Sequence, residues 1–200
     1  MASQPTTPLR ALTGLNLVRL DDKRMEAGEK SPAVGPTIRS EALWQHEPAL
    51  MFVVRRPGCV LCREQALALA ARRQLIEEEY GVKMHAVVLE ELGAMEFQKN
   101  FWKGPLYLDT DKGFFKATNG GHISKVSSWN ILRPTVLFHG RRATLSGVKG
   151  NFIGEGRILG GVFVVRPGDQ GVAYEYFEKF FGDHAPMDDM LPICQSLVQG

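Results

Sequence analysis

Two cysteines three positions apart, Cys59 and Cys62, are the residues of this chain whose type and spacing could do chemistry. They stand in the stretch RRPGCVLCREQA, residues 55–66, and the one other cysteine is Cys194. A Cys-x-x-Cys pair can cycle between a dithiol and an internal disulfide, can supply two ligands to a zinc ion, or can be an inert buried pair. The flanking residues and the predicted elements must decide among these alternatives.

The sequence on either side of Cys59 favours the redox alternative. Residues 49–55 form an apolar run typical of a buried parallel strand, Pro57 and Gly58 end it, and a helical pattern starts at Cys59. A thiol at a helix N-terminus lies beside unpaired backbone N–H groups and the positive end of the helix dipole, which favour the thiolate. We therefore predict that Cys59 is an exposed thiolate and the nucleophile. Three arginines beside it should stabilise the thiolate further: Arg55, Arg56 and Arg63.

Cys62 has a different predicted task. It lies nearly one helical turn after Cys59, so its sulfur can reach that of Cys59 while pointing further into the protein. Attack by Cys59 on a peroxide or a disulfide gives a sulfenic acid or a mixed disulfide, which Cys62 then displaces to form the internal disulfide. Cys62 is thus predicted to be the resolving thiol.

Zinc and an inert pair stay open as less favoured alternatives. A structural zinc ion needs about four ligands, and the chain has no second Cys-x-x-Cys; Cys194 and His184 are not at zinc-knuckle spacing. The histidines are scattered singly, and no Ser/His/Asp order suggests a triad. Cys194 lies in an apolar helical pattern and is interpreted as a core thiol.

The predicted elements around the dithiol alternate between strands and helices. After the strand at 49–55, the pattern predicts one helix at 59–80, a strand at 82–89, a helix at 90–102 and a short strand at 105–108. Such alternation predicts an α/β sheet with parallel strands joined by right-handed crossovers.

The remaining sequence is more varied. We predict a disordered tail at 1–12 and one domain at 13–200, with an edge strand at 14–20 and an irregular insertion at about 114–157. A β-hairpin follows at 161–177, and the last helix is predicted at about 187–197.

Composition and charge restrict the function classes. The chain has 200 residues, of which 44% are hydrophobic and 23% charged, and a formal net charge of +2, so nucleic-acid binding is not indicated. The apolar runs are far shorter than the roughly 18 residues of a membrane span, and no signal-peptide core is present. We expect a soluble, cytoplasmic protein. Because no acidic residue precedes Asp21, an organelle transit peptide remains the alternative.

The motifs resemble those of a known family. RRPGCVLCREQA, together with GEGRILGGVFVVRPGDQG and EKFFGD, is similar to the peroxiredoxin-like 2 family of the alkyl hydroperoxide reductase and thiol-specific antioxidant group. The resemblance covers about residues 41–195. It implies a thioredoxin-like, peroxiredoxin-like α/β fold with a central mixed sheet flanked by helices.

The same resemblance implies a thiol-dependent oxidoreductase or antioxidant protein that acts through Cys59 and Cys62. One branch of the family reduces prostaglandin-type endoperoxides with electrons from NADPH through thioredoxin. The implied partners are therefore a thioredoxin-type reductant and a small oxidised substrate, with no bound cofactor or metal. Another branch is described as a redox regulator, which keeps open a redox-responsive binding protein whose dithiol switches slowly without turnover.

The sequence also departs from better-known relatives. Peroxiredoxins place Pro and Thr seven and three residues before the peroxidatic cysteine, where this chain has Phe52 and Arg56. Thioredoxins place a cis-proline beside the dithiol; the stretch ILRPTVLF at 131–138 imitates that signature but falls in the insertion. The glycine-rich stretch 154–161 precedes a strand, so it does not fit a dinucleotide-binding turn. We predict instead that Gly160 and Gly161 provide close backbone packing beside the dithiol.

Overall fold

The structure, a computed structural model, describes residues 5–20, 36–123, 125, 147–151 and 154–199. Seven strands form one mixed sheet in the order β2-β1-β5-β4-β3-β6-β7. The strands are β1 Asn16–Leu20, β2 Thr37–Arg39, β3 Ala49–Val54, β4 Lys83–Val88, β5 Leu106–Asp109, β6 Gly161–Val165 and β7 Val172–Phe177. The helices are α1 Val60–Ala70, α2 Ala94–Phe97, α3 Gly113–Ala117 and α4 Met187–Ser196.

The centre of the sheet is parallel, as the alternating pattern predicted. β3 pairs with β4 and β4 with β5 in parallel, whereas β6 pairs with the other side of β3 in antiparallel register, with Val53 opposite Gly161. All six residues of β3 are buried, because helices or loops cover both faces of the sheet. The strand therefore ends, at Val54, inside the protein and next to the Cys-x-x-Cys turn.

Two apolar clusters lie on opposite faces of the sheet. On one face, Phe52 and Val54 pack with Cys62, Phe97 and Trp102, and α4 adds Met190 and Cys194. The other face is filled by Met51 and Val53 together with Leu12, Trp44, Phe114 and Phe115. The alternation of β3 side chains between these clusters follows from the period of two along a strand. The dithiol thus belongs to the α1 face of the sheet.

The helix predicted at 59–80 is divided. α1 ends at Ala70, a turn follows at residues 71 and 72, and a π-helical segment spans Leu75–Glu79. Similarly, the helix predicted at 90–102 is the short α2 followed by a second π-helical segment, Gln98–Trp102. Tertiary contacts explain both departures from the local pattern: the guanidinium of Arg73 lies 4.7 Å from the Trp102 ring centroid and donates to the Trp102 carbonyl, so the two segments are tied together.

Two predictions near the N-terminus were wrong. Residues 9–11 form a short 3₁₀ helix and Leu12 is fully buried, so the second half of the predicted disordered tail is part of the fold. The tail is held by Glu175, whose carboxylate accepts hydrogen bonds from Thr6 and Thr7. The strand predicted at the sheet edge is β1, but β2 returns to pair with it, so β2 occupies that edge.

The other predicted elements agree with the structure where it describes them. The hairpin is β6 and β7, and the last helix is α4 with a 3₁₀ turn at Leu197–Gln199. The predicted insertion begins with the short helix α3, and the stretch 131–138 lies outside the described residues. None of the helices in the described ranges is long and apolar enough to cross a membrane.

Candidate active site

Cys59 lies in the turn that joins β3 to α1. Its backbone N–H donates to the Arg56 carbonyl at 3.1 Å, and its own carbonyl accepts from the Arg63 N–H at 3.0 Å. With φ −73° and ψ 126° it is the N-cap residue, one position before the first helical residue, Val60. The predicted placement at the helix N-terminus is therefore correct to within one residue.

The sulfur of Cys59 is surrounded by donors. The Cys62 thiol hydrogen-bonds to it, and Nη2 of Arg55 donates to it at 2.6 Å. The bond from the Cys62 thiol is the largest influence on the pKa of Cys59, and the positive charges of Arg55 and Arg56 act in the same direction. Together they outweigh burial and hold the pKa of Cys59 well below its ordinary value.

Cys62 has the opposite character. It donates its hydrogen to Cys59, is buried, and faces the negative charge of Cys59 and of Glu178, and these effects raise the pKa of Cys62 well above the ordinary thiol value. Their surroundings thus favour the thiolate at Cys59 and the protonated thiol at Cys62. The asymmetry expected from the order of the two cysteines is present in their surroundings.

One expectation about Cys59 was wrong: the thiol is not exposed. Cys59 is 5% exposed and Cys62 is 2% exposed. Residues 149–151 cover the turn, where the Asn151 N–H donates to the Gly58 carbonyl at 2.7 Å. A Cβ added to Gly150 would lie 2.8 Å from the Val60 nitrogen, so the backbone rests directly on the start of α1.

Arg55 is the arginine that contacts the dithiol. The residue is 5% exposed, and its guanidinium donates through Nη1 to the Gly156 carbonyl at 2.6 Å and lies 4.4 Å from the Phe181 ring centroid. Burial opposes its charge, but the facing sulfurs of Cys62 and Cys59 and the carboxylate of Glu178 outweigh burial and raise the pKa of Arg55. Arg55 is therefore a fixed cation that the sheet holds against the Cys59 sulfur.

The two other predicted arginines lie in different places. Arg56 is near enough for its charge to lower the pKa of Cys59. Arg63, by contrast, donates to the Pro57 and Lys149 carbonyls and forms a bidentate pair with Glu96, at 3.0 and 2.7 Å. These contacts connect the Cys-x-x-Cys turn to residues 149–151, which cover it. Among the described contacts of the Arg63 side chain, none is with a thiol.

Glu178, which was not predicted as a site residue, stands immediately after β7. Its Oε2 accepts from the Gly160 N–H at 2.9 Å and lies 4.0 Å from Nε of Arg55, and both side chains are buried. Burial raises the pKa of Glu178 to about 7, against the opposing effects of Arg55 and the Gly160 N–H. A charged residue at the end of an apolar hairpin strand was the one available sign of this position.

Gly160, one of the two glycines predicted to pack beside the dithiol, brings the start of the hairpin against the end of β3, whereas a Cβ on Gly161 would meet the Tyr176 carbonyl oxygen of β7. A Cβ on Gly160 would lie 2.1 Å from the Val53 carbonyl oxygen and 3.1 Å from the Arg55 nitrogen. Only a residue without a side chain lets β6 approach the end of β3 this closely. The N–H of the same glycine binds Glu178, so one short segment supports both Arg55 and its carboxylate neighbour.

The third cysteine has the surroundings of a core thiol. Cys194 is fully buried in α4, as the apolar pattern indicated, and burial raises the pKa of its thiol to about 12. Across the described ranges, no three His, Cys, Asp or Glu side chains are grouped as they would be around a metal ion.

Comparisons with known proteins identify the family of this chain. The sequence profile described as AhpC/TSA antioxidant enzyme matches residues 68–179. The chain is 39% identical over 180 residues to human peroxiredoxin-like 2A, which covers 89% of this chain and 75% of that protein. The identity to the zebrafish (Danio rerio) peroxiredoxin-like 2A is 35% over 184 residues, covering 91% of this chain and 81% of that protein.

Solved structures share the fold. The bacterioferritin comigratory protein of Xanthomonas campestris superposes with a TM-score of 0.58 at 14% identity, over 99% of this chain and 98% of that chain. The peroxidoxin BcpB of Mycobacterium tuberculosis gives 0.53 at 16% identity, over 98% and 99%. The seven-stranded mixed sheet with flanking helices is thus a thioredoxin-like, peroxiredoxin-like fold. With a family profile over more than half of its length and relatives above 30% identity over most of it, this chain belongs to the peroxiredoxin-like 2 family of AhpC/TSA antioxidant proteins.

Proposed function

We propose that this protein is a thiol-dependent reductase of peroxides or related oxidised small molecules, with Cys59 as the nucleophile and Cys62 as the resolving thiol. The observation that supports it most directly is the asymmetry of the two sulfurs. Cys59 accepts hydrogen bonds from Arg55 and Cys62, which favour its thiolate, while Cys62 keeps its proton. A thiolate beside a protonated partner thiol is the arrangement that dithiol chemistry requires.

The proposed reaction proceeds in three steps. The Cys59 thiolate attacks the hydroxyl oxygen of a hydroperoxide, the O–O bond breaks, and the alcohol or water product leaves with a proton from solvent while Cys59 becomes a sulfenic acid. Cys62 loses its proton and attacks the Cys59 sulfur, and the hydroxyl group leaves as water, which gives the internal disulfide. A thioredoxin-type dithiol then reduces this disulfide, with electrons from NADPH. The protein itself binds no cofactor in this scheme.

The test is NADPH consumption in the presence of thioredoxin and thioredoxin reductase. Hydrogen peroxide, alkyl hydroperoxides and a prostaglandin-type endoperoxide form the acceptor panel. We expect turnover with at least one acceptor, because the thiolate and its resolving partner are both in place, and we expect Cys59→Ser to fall to the rate without protein. Cys194→Ser is the matched control and should retain the wild-type rate, since that thiol is buried in α4. Wild-type turnover no faster than that of Cys59→Ser with every acceptor would refute the enzyme.

Burial of the dithiol supports a second candidate function. Because Cys59 is 5% exposed, its oxidation could be slow and could serve to change a partner-binding surface without turnover. Such a redox-responsive binding protein would form the disulfide and yet show no catalytic NADPH consumption. The same assay, combined with titration of the disulfide, separates this candidate from the reductase.

Mapping of the thiols tests the assigned roles independently of substrate. With a limiting alkylating reagent, we expect Cys59 to react first and with an apparent pKa below about 8.5, because its donors stabilise the thiolate. Mild oxidation should yield the Cys59–Cys62 disulfide in the wild type and a trappable sulfenic acid or mixed disulfide in Cys62→Ser. Earlier labelling of Cys62, or a disulfide that includes Cys194, would contradict the assignment.

A bound zinc ion would show itself differently. Structural zinc contributes directly to folding, so a zinc protein would contain stoichiometric metal and lose stability in chelator. We expect a metal-free protein with an unchanged melting temperature in chelator.

We also propose a cytoplasmic location, with an organelle as the alternative. Microscopy of the full chain in cells would distinguish the two locations.

A further inference from the structure

Arg55 lies between two groups that can each become negatively charged. On one side Nη2 contacts the Cys59 sulfur at 2.6 Å, and on the other Nε lies 4.0 Å from Oε2 of Glu178. Arg55 and Glu178 are both less than a tenth exposed, as is Cys59. Water therefore screens the charges weakly, and the state of one anion must influence the other.

The balance of charge depends on the state of the dithiol. In the reduced protein, the Cys59 thiolate neutralises Arg55, and a second negative charge on Glu178 would be in excess. In the disulfide, Cys59 carries no charge, and Arg55 would remain a buried cation unless Glu178 became its counterion. Burial of an unpaired charge is strongly unfavourable, so the proton on Glu178 should follow the redox state.

We propose that Glu178 is a redox-linked proton site, which holds a proton while Cys59 is a thiolate and releases it when Cys59 enters the disulfide. The inference rests on the proposed function, since it requires that the dithiol is reversibly oxidised. Glu178 acts through Arg55 and is therefore a positioning residue with its own titration. The burial of its carboxylate, with a pKa of about 7 in the reduced protein, is consistent with this role.

Protons and electrons balance in this scheme. Reduction of the disulfide by a dithiol reductant transfers two electrons, breaks the S–S bond, and produces the Cys59 thiolate and the protonated Cys62 thiol. One proton goes to Cys62 and a second converts the Glu178 carboxylate into the acid. Wild type thus takes up two protons for each disulfide reduced, whereas a variant without this carboxylate takes up one.

Several other charged or titratable groups lie around Glu178. Arg55 faces it from the end of β3, the two thiols face it from the start of α1, and Asp183 faces it from the segment after β7. Asp183 accepts hydrogen bonds from the Tyr176 hydroxyl at 2.6 Å and the Lys179 N–H at 2.9 Å, and its negative charge disfavours the ionised form of Glu178. Of these groups, Cys59 is the one whose charge is removed on disulfide formation while it contacts Arg55.

The experiment is a thiol–disulfide equilibrium against dithiothreitol between about pH 5.5 and about pH 7.5, where the thiols of that reagent, with pKa values near or above about 8.5, stay protonated. Dithiothreitol releases two protons on oxidation. The equilibrium constant for reduction of the wild-type disulfide by dithiothreitol should therefore be independent of pH up to about 6.5. It should begin to rise as Glu178 ionises near pH 7. For Glu178→Gln, the constant should rise about tenfold per pH unit wherever Cys59 of the reduced protein is a thiolate, because one proton is then released net.

Controls make the result specific. Glu175→Gln removes a carboxylate from β7, the strand that precedes Glu178. Among its described contacts, the Glu175 carboxylate binds only the N-terminal segment, so this variant should retain the wild-type profile. Glu178→Asp should restore part of the flat region. Should Glu178→Gln fail to fold, the reduced-minus-oxidised infrared spectrum of the wild type at about pH 6 should show a protonated carboxylic acid only after reduction.

The possible failures are distinguishable. Equal pH dependence for the wild type and Glu178→Gln, or no carboxylic acid band on reduction, would overturn the proton site while leaving the dithiol chemistry intact. Absence of a Cys59–Cys62 disulfide under oxidising conditions would overturn the proposed function and this inference with it.

Discussion

Arg55→Met is expected to slow the alkylation of Cys59 at about pH 6.5 by at least tenfold, without unfolding the protein. The substitution removes both a donor 2.6 Å from the sulfur and a buried positive charge, and it keeps a long side chain over Phe181. The pKa of Cys59 should move toward the unperturbed value of about 8.5, and each unit of that shift reduces the thiolate fraction about tenfold below the pKa. Labelling rates measured across pH give the pKa directly.

Three matched variants support the interpretation. Arg72→Met changes an exposed arginine beyond the end of α1 and should leave the labelling profile unchanged. Arg56→Met should produce a smaller shift, since the charge of Arg56 has less influence on Cys59 than that of Arg55. Arg55→Lys keeps the charge without the planar donors and should be intermediate. A wild-type labelling profile in folded Arg55→Met would contradict the assigned role of this cation.

Gly160→Ala is expected to lower the free energy of unfolding by about 3 kcal/mol or more, a large effect for one methyl group. The new Cβ would be placed 2.1 Å from the backbone oxygen of Val53 and 3.1 Å from the Arg55 nitrogen. Neither atom can move away without separating β6 from β3. Urea unfolding, followed by circular dichroism, measures the change.

Gly156→Ala is the control for this prediction. Its Cβ would meet the guanidinium ends of Arg56 and Arg55 at 3.0 and 3.4 Å, and side-chain ends can shift more easily than backbone. We expect a loss of about 1 kcal/mol or less. Equal stability of the Gly160 and Gly156 variants would show that the close approach of the hairpin is not required.

The parts of the fold that follow from local pattern could be predicted. The fully apolar run that became β3, the β6–β7 hairpin and the position of Cys59 before α1 were all readable, because strand burial and helix termini leave short-range patterns. The division of the helix at 59–80 was not readable, since it depends on contacts between Arg73 and the distant Trp102. Ordered packing of Leu12 likewise depends on partners far along the chain.

At the site, the different roles of the arginines also depend on tertiary contacts and could not be predicted from the sequence. By position alone, Arg55 and Arg63 were equivalent neighbours of the dithiol, one on each side. The structure separates them, because Arg63 lies on the helix and pairs with Glu96, whereas Arg55 lies at the strand end and contacts sulfur. Glu178 could not have been assigned, since more than a hundred residues separate it from Cys59 in the sequence and the pairing of β6 with β3 brings them together.

That pairing has a consequence for how the protein folds. β3 and β6 are adjacent in the sheet although over a hundred residues lie between Val53 and Gly161, so their association closes a long loop and is expected among the late, slow events of folding. Arg55 receives its support from Gly156 and Phe181, on either side of that hairpin, only after this event. In a nascent chain that has formed only β3, α1 and β4, Cys59 would keep Cys62 as a neighbour but lack the fixed Arg55 cation, so its pKa should be higher than in the complete fold. The full reactivity of Cys59 should therefore appear only after β6 and β7 have joined the sheet.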